Sequence, residues 1–249
     1  MRFTVASNNE EEALSGTMSR RPKAVVLLSG GMDSCVTAAI ARNTHELALV
    51  HASYGQRTER RELQAFTEIA DYYGVRERLV VQLKHFAQIG GSALTDPRIS
   101  VPEGHFGAPV GGNEIPSTYV PFRNAHFLSV AVSWGEVIGA TAIFIGAVAE
   151  DSSGYPDCRP EYYRVFQQLV REGTKPETQI EIVTPVIGMR KWQIIQKGLE
   201  LKAPLDRTWS CYQSEDAACG VCDSCRLRLS AFAEAGIGDP IAYRAQVER

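Results

Sequence analysis

Hydrophobic and polar positions along the chain follow two alternating periodicities. Some segments are short and apolar, as buried strands are, and the segments between them repeat apolar residues at helical spacing. The strand-like segments are 24–28, 46–53, 75–83, 140–145 and 180–183. The helix-like segments are 35–40, 57–73, 122–138, 160–170 and 190–201. This alternation predicts an α/β fold with a doubly wound, mostly parallel five-stranded sheet, which binds ligands beyond the carboxyl ends of its strands.

One connection departs from this alternation. Residues 84–118 are rich in glycine, contain four prolines and have neither helical nor strand periodicity. Unstructured connections longer than about 15 residues are uncommon in compact domains. The segment is therefore either a binding loop or lid, or disordered. We expect a lid, because the segment leads directly into a polar cluster that begins at Tyr119.

The length of 249 residues allows one large α/β domain with a small appendage. Residues 1–22 are mostly polar and predict a flexible tail. We therefore expect the α/β domain at 23–202 and a smaller C-terminal segment at 203–249.

Charge and hydropathy limit the partners of the chain. The formal net charge is −3 and the isoelectric point is about 6.0, which argues against stable nucleic-acid binding and favours a small anionic substrate. No apolar run is long enough to cross a membrane and no signal-like segment opens the sequence. We expect a cytoplasmic protein without membrane contact.

The first strand runs into a glycine turn, Ser29-Gly30-Gly31-Met32-Asp33-Ser34, and then into a helix. Glycines let the backbone approach a ligand, and the first amides of a helix attract anions. We expect Asp33 or Ser34 to cap this helix. The lysine of a Walker A loop is missing, which excludes a P-loop kinase or GTPase. The alternative is a tight turn that binds nothing.

The pattern Ser-Gly-Gly-x-Asp-Ser resembles the PP-loop of the ATP pyrophosphatases, which cleave ATP between its α and β phosphates. The resemblance implies an adenine nucleotide alpha hydrolase-like fold, with pyrophosphate held by Ser29, Gly30, Gly31 and Ser34. It also implies that Asp33 lies near a bound Mg²⁺ or fixes the loop. The nucleotide-binding residues that it implies are Leu28, Ser29, Gly30, Gly31, Met32, Asp33, Ser34, Cys35, Val36, Thr37 and Ala38.

Four of the six cysteines are clustered as C-x7-C-x2-C-x2-C, at Cys211, Cys219, Cys222 and Cys225. Four thiolates suit a structural Zn²⁺ ion, whose binding would fold this segment. Two disulfides are disfavoured because we expect a reducing compartment. An iron-sulfur cluster stays open, since similar spacing occurs in ferredoxins.

The other two cysteines differ in context. Cys35 lies in the first helix and is predicted to pack in the core. Cys158 lies in a turn beside Arg159, where the start of a helix can lower a thiol pKa. Cys158 is either a nucleophile or a small contact in a substrate pocket.

Further motifs follow in order: Tyr54-Gly55-Gln56-Arg57, residues 119–124, residues 150–160 with the sequence EDSSGYPDCRP, and residues 208–212 before the cysteines. Together with the PP-loop, they resemble the 7-cyano-7-deazaguanine synthase family over residues 23–232. One departure is visible. Thr58 stands where that family often has histidine, and the following glutamate is displaced by one residue, to Glu62.

The resemblance implies a C–N bond-forming ligase of queuosine biosynthesis. Such an enzyme converts 7-carboxy-7-deazaguanine and ammonia to the nitrile 7-cyano-7-deazaguanine (preQ0), and forms AMP and pyrophosphate from ATP. It implies zinc on the four clustered cysteines, one ion per chain, and a homodimer. We expect an acyl adenylate and an amide as intermediates, because neither a carboxylate nor an amide loses its oxygen without activation.

The same motifs contain candidate catalytic residues. The catalytic set that we predict is Asp33, Ser34, Arg123, Asp157 and Cys158. Candidate general bases are Glu150, Asp151 and Asp157, and both Arg123 and Arg159 can bind a carboxylate or phosphate, unless they form ordinary salt bridges. Aromatic residues that can stack on a deazapurine, if they are not core residues, are Tyr119, Phe122 and Tyr155.

The sequence leaves three other functions open. A PP-loop tRNA sulfur-transfer enzyme would use the same adenylation and Cys158 as sulfur carrier, but the chain has 29 acidic against 26 basic side chains. A relative of the synthase would transfer the deazaguanine to an acceptor other than ammonia. A non-catalytic zinc module would bind a nucleic acid or a protein.

Overall fold

The computed structural model describes residues 21–104, 115–149 and 155–244. Its centre is a five-stranded sheet in which every pairing is parallel, in the order β3-β2-β1-β4-β5. The strands are β1 (Lys23–Leu27), β2 (Glu46–Ser53), β3 (Arg78–Gln82), β4 (Ala142–Ile145) and β5 (Glu181–Val183). The predicted five-stranded parallel sheet is confirmed.

Helices connect the strands and continue beyond the last of them. The described helices are α1 (Met32–Ala41), α2 (Glu59–Tyr72), α3 (His85–Ile89), α4 (Arg123–Ile138), α5 (Pro160–Gly173), α6 (Lys191–Glu200) and α7 (Asp223–Glu234). Single 3₁₀ turns occur at Pro156–Cys158 and Leu205–Arg207. Within the described ranges, no helix combines the length and the apolar character needed to cross a lipid bilayer.

The sheet is covered on both faces because neighbouring residues of β1 point in opposite directions. Val26 packs with residues of α1 and α2, among them Phe66, in one apolar cluster. Val25 packs with residues of α4 and α5, among them Leu128, in a second cluster on the other face. Strands buried on both faces read as continuous apolar runs. This two-sided packing confirms the doubly wound architecture.

The strand order places a crevice at one edge of the sheet. The chain moves outward from β1 through β2 to β3, and then returns to place β4 directly beside β1. The connections at the carboxyl ends of β1 and β4 therefore diverge, and ligands of open α/β sheets bind at such switch points.

The structure adds two helices to those that the sequence predicts. Helix α3 lies in the segment 84–118, for which no regular structure is expected from sequence, and Phe86, Leu94 and Val101 of this segment are buried. These apolar residues are irregularly spaced, so packing rather than periodicity orders them. The lid stays a prediction, and residues 105–114 of it lie outside the described residues. Helix α7, at the end of the cysteine segment, is the second addition.

The C-terminal segment packs on the α/β core. Phe232 of α7 shares a cluster with Ile194 and Ile195 of α6, and Trp209 shares another cluster with Ala65 of α2. The domain boundary between residues 202 and 203 stays a prediction. The predicted tail at 1–22 lies outside the described residues up to position 20.

Candidate functional site

A cavity of about 300 Å³ opens at the carboxyl edge of the sheet. Its walls come from residues that follow β1 and β4, from the end of β2, and from the chain after the second 3₁₀ turn. This is the crevice that the strand order predicts. Its volume lies at the lower end of the range for small-molecule sites. We call it the edge cavity.

The turn between β1 and α1 is held closely against α2. Gly30 has a φ of 93°, and a Cβ atom there would lie 2.6 Å from the carbonyl oxygen of Glu62. Ser29 Oγ accepts a hydrogen bond from the Gly31 N–H at 3.2 Å and lies 3.1 Å from Ser34 Oγ. Position 30 therefore requires glycine, and two hydroxyl groups maintain the shape of the turn.

The amino end of α1 faces the edge cavity without a side-chain cap. Gly31 is the N-cap, and the helix has no side-chain capping hydrogen bond. The expectation that Asp33 or Ser34 caps this helix is wrong, because Ser34 Oγ donates to the Gly31 carbonyl oxygen at 2.9 Å and Asp33 bonds elsewhere. An uncapped amino end with the positive end of the helix dipole suits an anion.

The Asp33 carboxylate pairs with a residue that is distant in the sequence. Its Oδ2 lies 2.6 Å from Nζ of Lys191, the first residue of α6, and both residues line the edge cavity. Its Oδ1 is buried and has no partner among the described residues. A carboxylate oxygen in this situation fits a hard divalent cation, which prefers oxygen ligands.

Ten of the eleven residues implied to bind nucleotide fall into two groups, and the eleventh, Gly30, packs against α2. The group that lines the edge cavity is Leu28, Ser29, Gly31, Met32, Asp33 and Ser34. Cys35 to Ala38 are buried behind the turn, with Cys35 and Ala38 in one core cluster and Val36 in another. The core position predicted for Cys35 is confirmed, and burial raises the pKa of its thiol to about 12.

Arg123 forms a second charged wall of the edge cavity. Its guanidinium lies 5.3 Å from the ring centre of Tyr54 and 5.5 Å from that of Phe127, and Nη1 donates to the Tyr54 hydroxyl at 3.0 Å. Its Nε is buried and has no partner in the described part of the chain. A stacked guanidinium that keeps free donor capacity can bind a carboxylate or phosphate in bidentate fashion.

Asp157 lies behind this wall and is not among the cavity-lining residues. Its Oδ2 accepts the backbone N–H of Asn124 in the first turn of α4, at 3.0 Å. The Asn124 side-chain amide donates to the Asp157 carbonyl oxygen at 2.9 Å and to Cys158 Sγ at 3.6 Å. Cys158 is buried and lines the edge cavity. This network sets the position of α4, and therefore of Arg123.

The remaining candidates from the sequence lie in different places. Tyr155 lines the edge cavity, whereas Tyr119 packs against Tyr155 and its hydroxyl accepts the Phe122 N–H. Phe122 is 60% exposed and Arg159 is exposed, and neither lines the cavity. Glu150 and Asp151 lie outside the described residues.

Glu62 of α2 places a second carboxylate in the edge cavity. Its Oε1 accepts from the Thr58 hydroxyl at 2.7 Å, and its Oε2 accepts from Gln56 Nε2 at 3.0 Å. Burial raises the pKa of Glu62 to about 7, although these two hydrogen bonds oppose the shift.

Changing Glu62 to glutamine is expected to alter how stability depends on pH. The folded chain keeps the Glu62 proton up to about pH 7, whereas the unfolded chain loses it near 4.5. Between these values the folded state binds more protons, so the stabilising contribution is complete below the lower value and is lost as pH rises through the upper one. The melting temperature of Glu62→Gln minus that of the unaltered chain should therefore increase from about pH 5 to about pH 8.

Glu59→Gln is the matched control for this measurement. Glu59 lies one turn earlier on α2 and contacts Gln82. A melting-temperature difference for Glu62→Gln that does not change with pH would contradict the raised pKa.

The four clustered cysteines converge on one point beside this cavity. All four are buried, and their sulfur atoms lie within 4.8 Å of one another, with Cys219 and Cys225 at 3.9 Å. The group can therefore hold a metal ion. Hydrogen bonds from the other thiols lower the pKa of Cys211, whereas hydrogen bonding to the Cys211 sulfur raises the pKa of Cys222. Without a cation, ionisation of one thiol opposes ionisation of its neighbours.

The family of this chain follows from its similarity to known proteins. The family model described as "Queuosine biosynthesis protein QueC" matches residues 23–236. The chain belongs to the QueC family. A relative from Chloroherpeton thalassium, named 7-cyano-7-deazaguanine synthase, is 59% identical over 89% of this chain and 97% of its own length. A relative of the same name from Chlorobium phaeobacteroides is 60% identical over 89% and 96% of the two chains.

One solved structure of low sequence identity resembles this QueC-family chain. The "U34-tRNA thiolase NcsA from Methanococcus maripaludis with its [4Fe-4S] cluster" has a TM-score of 0.48 and 13% identity, and covers 86% of this chain and 65% of its own. Likeness at this level has no bearing on substrate or metal.

The cysteine cluster of this QueC-family chain is connected to the glycine turn. The Trp209 N–H donates to the Gly30 carbonyl oxygen at 2.8 Å, two residues before Cys211. Arg228 of α7 donates to the Thr208 hydroxyl at 2.7 Å and forms a buried, bidentate ion pair with Asp239. The geometry of the cysteine segment therefore affects the glycine turn directly.

Several residues of the edge cavity are not predicted from sequence. They are Lys191, Trp209, Ser210, Tyr212 and Arg228. Lys191 offers one signal, because a lysine in the first turn of a helix opposes the helix dipole and calls for an anionic partner. Trp209, Ser210 and Tyr212 lie in the motif at 208–212, but that motif assigns them no role, and Arg228 has no signal in the sequence.

Proposed function

We propose that this chain converts 7-carboxy-7-deazaguanine and ammonia to 7-cyano-7-deazaguanine in queuosine biosynthesis, with ATP cleaved to AMP and pyrophosphate. The observation that carries the proposal is identity of 59% to a synthase of that name, over 89% of this chain. The edge cavity supports it, because it combines an anion-binding turn with an arginine wall.

The chemistry explains why ATP is needed. A carboxylate is a poor electrophile, so its oxygen attacks the α-phosphorus of ATP, which forms an acyl adenylate and releases pyrophosphate. Ammonia then displaces AMP and leaves a primary amide. A second adenylation, on the amide oxygen, lets AMP depart as the nitrile forms. Each turnover therefore uses two ATP, and no covalent enzyme intermediate is required.

The glycine turn is proposed to hold the departing pyrophosphate. Ser29 and Ser34 supply hydroxyls beside the amino end of α1, and Lys191 supplies a positive charge 2.6 Å from Asp33. The orphaned Oδ1 of Asp33 fits Mg²⁺, which when bound neutralises phosphate charge. These groups are fixed before reaction, so they stabilise the developing charge without reorganisation.

Arg123 is proposed to bind the substrate carboxylate and to orient it for attack. Its stacking on Tyr54 and Phe127 limits its motion, and alignment of reacting groups contributes much of the rate. Asp157 is proposed as a positioning residue, because its carboxylate bonds the start of α4.

The four cysteines are proposed to hold one structural Zn²⁺. A tetrahedral ion with Zn–S bonds of about 2.3 Å places its sulfurs about 3.8 Å apart, and Cys219 and Cys225 are 3.9 Å apart. An iron-sulfur cluster has inorganic atoms between its cysteines and needs them further apart. The spacing within 4.8 Å favours a single ion.

The wider setting follows from the family resemblance. We propose a cytoplasmic homodimer whose partners are small molecules, without stable nucleic-acid binding. We also propose that residues 23–202 form the PP-loop domain and that residues 203–249 form the zinc-binding segment.

Mass spectrometry of the products tests this function. The full chain is incubated with ATP, magnesium, 7-carboxy-7-deazaguanine and ammonium, and the expected products are the nitrile, AMP and pyrophosphate in a ratio of 1:2:2. Formation of the amide alone, or of an adduct with another acceptor, would favour the transferring relative. ATP cleavage that requires added tRNA would favour the sulfur-transfer enzyme.

Changing Cys158 to serine is expected to lower kcat by no more than about tenfold. The thiol accepts a hydrogen bond from Asn124, and serine keeps an acceptor there. Direct attack of ammonia on the adenylate requires no enzyme nucleophile. Rates of pyrophosphate release measure the effect, and intact-protein mass spectrometry under turnover looks for a covalent adduct. A loss greater than about 100-fold together with an adduct on Cys158 would contradict this role.

A further inference from the structure

Glu62 faces the edge cavity with a geometry that the proposed chemistry does not use. Resting on the proposed function, we propose that the Glu62 carboxylate recognises the heterocycle by accepting hydrogen bonds from its N1–H and 2-amino groups. Glu62 would then be a specificity residue for the deazaguanine, distinct from the groups that bind phosphate.

The first support is the way the carboxylate is held. Thr58 and Gln56 each donate one hydrogen bond, to different oxygens of Glu62, and both donors are buried. A carboxylate offers about four acceptor positions on its two oxygens. One position on each oxygen therefore remains, and this pair matches two adjacent N–H donors on a planar ring.

The second support is the charge of the edge cavity. Its described lining has two carboxylates, Asp33 and Glu62, among four cationic side chains. Asp33 is paired with Lys191, whereas both hydrogen-bond partners of the Glu62 carboxylate are neutral. A carboxylate in this position repels phosphate. It therefore suits the edge of a bound ligand that donates hydrogen bonds. The guanine-type edge is such a part.

The third support is the placement of Glu62 relative to Arg123. The Tyr54 backbone N–H donates to Gln56 Oε1 at 2.8 Å, and Gln56 in turn binds Glu62. The hydroxyl at the other end of Tyr54 accepts from Arg123. One tyrosine thus separates an acidic group from a basic group. The proposed substrate has the complementary arrangement, with N–H donors at one end and a carboxylate at the other.

The raised pKa of Glu62 is consistent with this role. Burial holds the pKa at about 7, and two N–H donors from a ligand favour the ionised form. Binding of the heterocycle would lower that pKa.

The test compares two heterocycles and two variants of the full chain. The substrates are 7-carboxy-7-deazaguanine and its analogue without the 2-amino group, and pyrophosphate release gives KM and kcat for each. The variants are Glu62→Gln and the control Glu59→Gln, which lies outside the edge cavity.

We expect Glu62→Gln to lower kcat/KM for the guanine compound by about 10- to 100-fold, as for loss of a bidentate base contact. The KM for ATP should change by no more than about threefold. For the analogue, kcat/KM should fall little further when Glu62 is replaced by glutamine, because the 2-amino donor is already missing. Glu59→Gln should match the unaltered chain with both compounds.

Three results would overturn the proposal. Equal losses with both compounds would indicate a structural role, and a raised KM for ATP alone would place adenine at Glu62. If Glu62→Gln does not fold, the proposal is tested on the unaltered chain alone. Equal kcat/KM values for the two compounds would then overturn the proposed recognition of the 2-amino group. Inactivity of the unaltered chain with 7-carboxy-7-deazaguanine would instead reject the proposed function, and this inference with it.

Discussion

Replacing Asp33 with asparagine is expected to lower kcat by about 100- to 1,000-fold, the cost of losing one fixed electrostatic contact to a transition state. Asparagine has the same shape but no charge, so it cannot pair with Lys191 or offer an anionic ligand to a divalent cation. The orphaned Oδ1 indicates that this carboxylate has a task beyond the ion pair with Lys191. Pyrophosphate release at saturating substrates measures the loss.

The same change is expected to leave folding nearly intact. The Asp33 and Lys191 side chains are each partly exposed, at 25% and 18%, and ion pairs of this kind contribute about 1 kcal/mol or less. Asp71→Asn is the control, because the exposed Asp71 of α2 forms an ion pair with Arg78 of β3. Turnover near that of the unaltered chain in Asp33→Asn would count against phosphate binding by the glycine turn.

Replacing Cys222 with serine is expected to remove the metal and to destabilise the chain. Cys222 is fully buried at the start of α7, among three other sulfurs. Structural zinc binds peptides with free energies of about 10–16 kcal/mol, and this energy contributes to folding. Loss of one ligand therefore weakens the whole segment after residue 208.

Turnover should fall together with metal content. Trp209 donates to the Gly30 carbonyl oxygen, so disorder of the cysteine segment removes one support of the glycine turn. Elemental analysis should find about one zinc per unaltered chain and almost none in Cys222→Ser, with a lower melting temperature. Cys158→Ser is the control and should keep its zinc.

Two outcomes would contradict this prediction. Full zinc retention in Cys222→Ser would exclude Cys222 as a ligand. Brown protein that absorbs near 400 nm and contains iron and sulfide would show that the cysteines hold an iron-sulfur cluster instead of zinc.

The family motifs explain why so much of the site is predictable before the fold is known. The turn at 29–34 is local, because its two glycines, its two hydroxyls and the start of α1 lie within a few residues of one another. The cysteine cluster is also local, since four ligands within fifteen residues are connected by short turns. Contacts between residues close in sequence need no information about the rest of the chain.

The role of an individual residue is harder to predict from sequence where it depends on the direction in which the side chain points. Asp157 and Cys158 are neighbours in sequence, yet Cys158 lines the edge cavity and Asp157 bonds the start of α4 behind it. Thr58 and Glu62 differ from the family pattern, and the structure shows how the two residues are related. Their side chains are hydrogen-bonded to each other across one helical turn.

The five parallel strands, the glycine turn and the cysteine cluster are predictable from the amino-acid sequence alone. Periodicity and short-range spacing set each of these, so no distant contact is needed to predict them. The distant residues that complete the edge cavity are identified by the packing of the folded chain. Lys191 meets Asp33 across 158 positions, and Trp209 meets Gly30 across a similar distance. Such pairs depend on how the helices pack on the sheet, and local sequence pattern does not encode that packing.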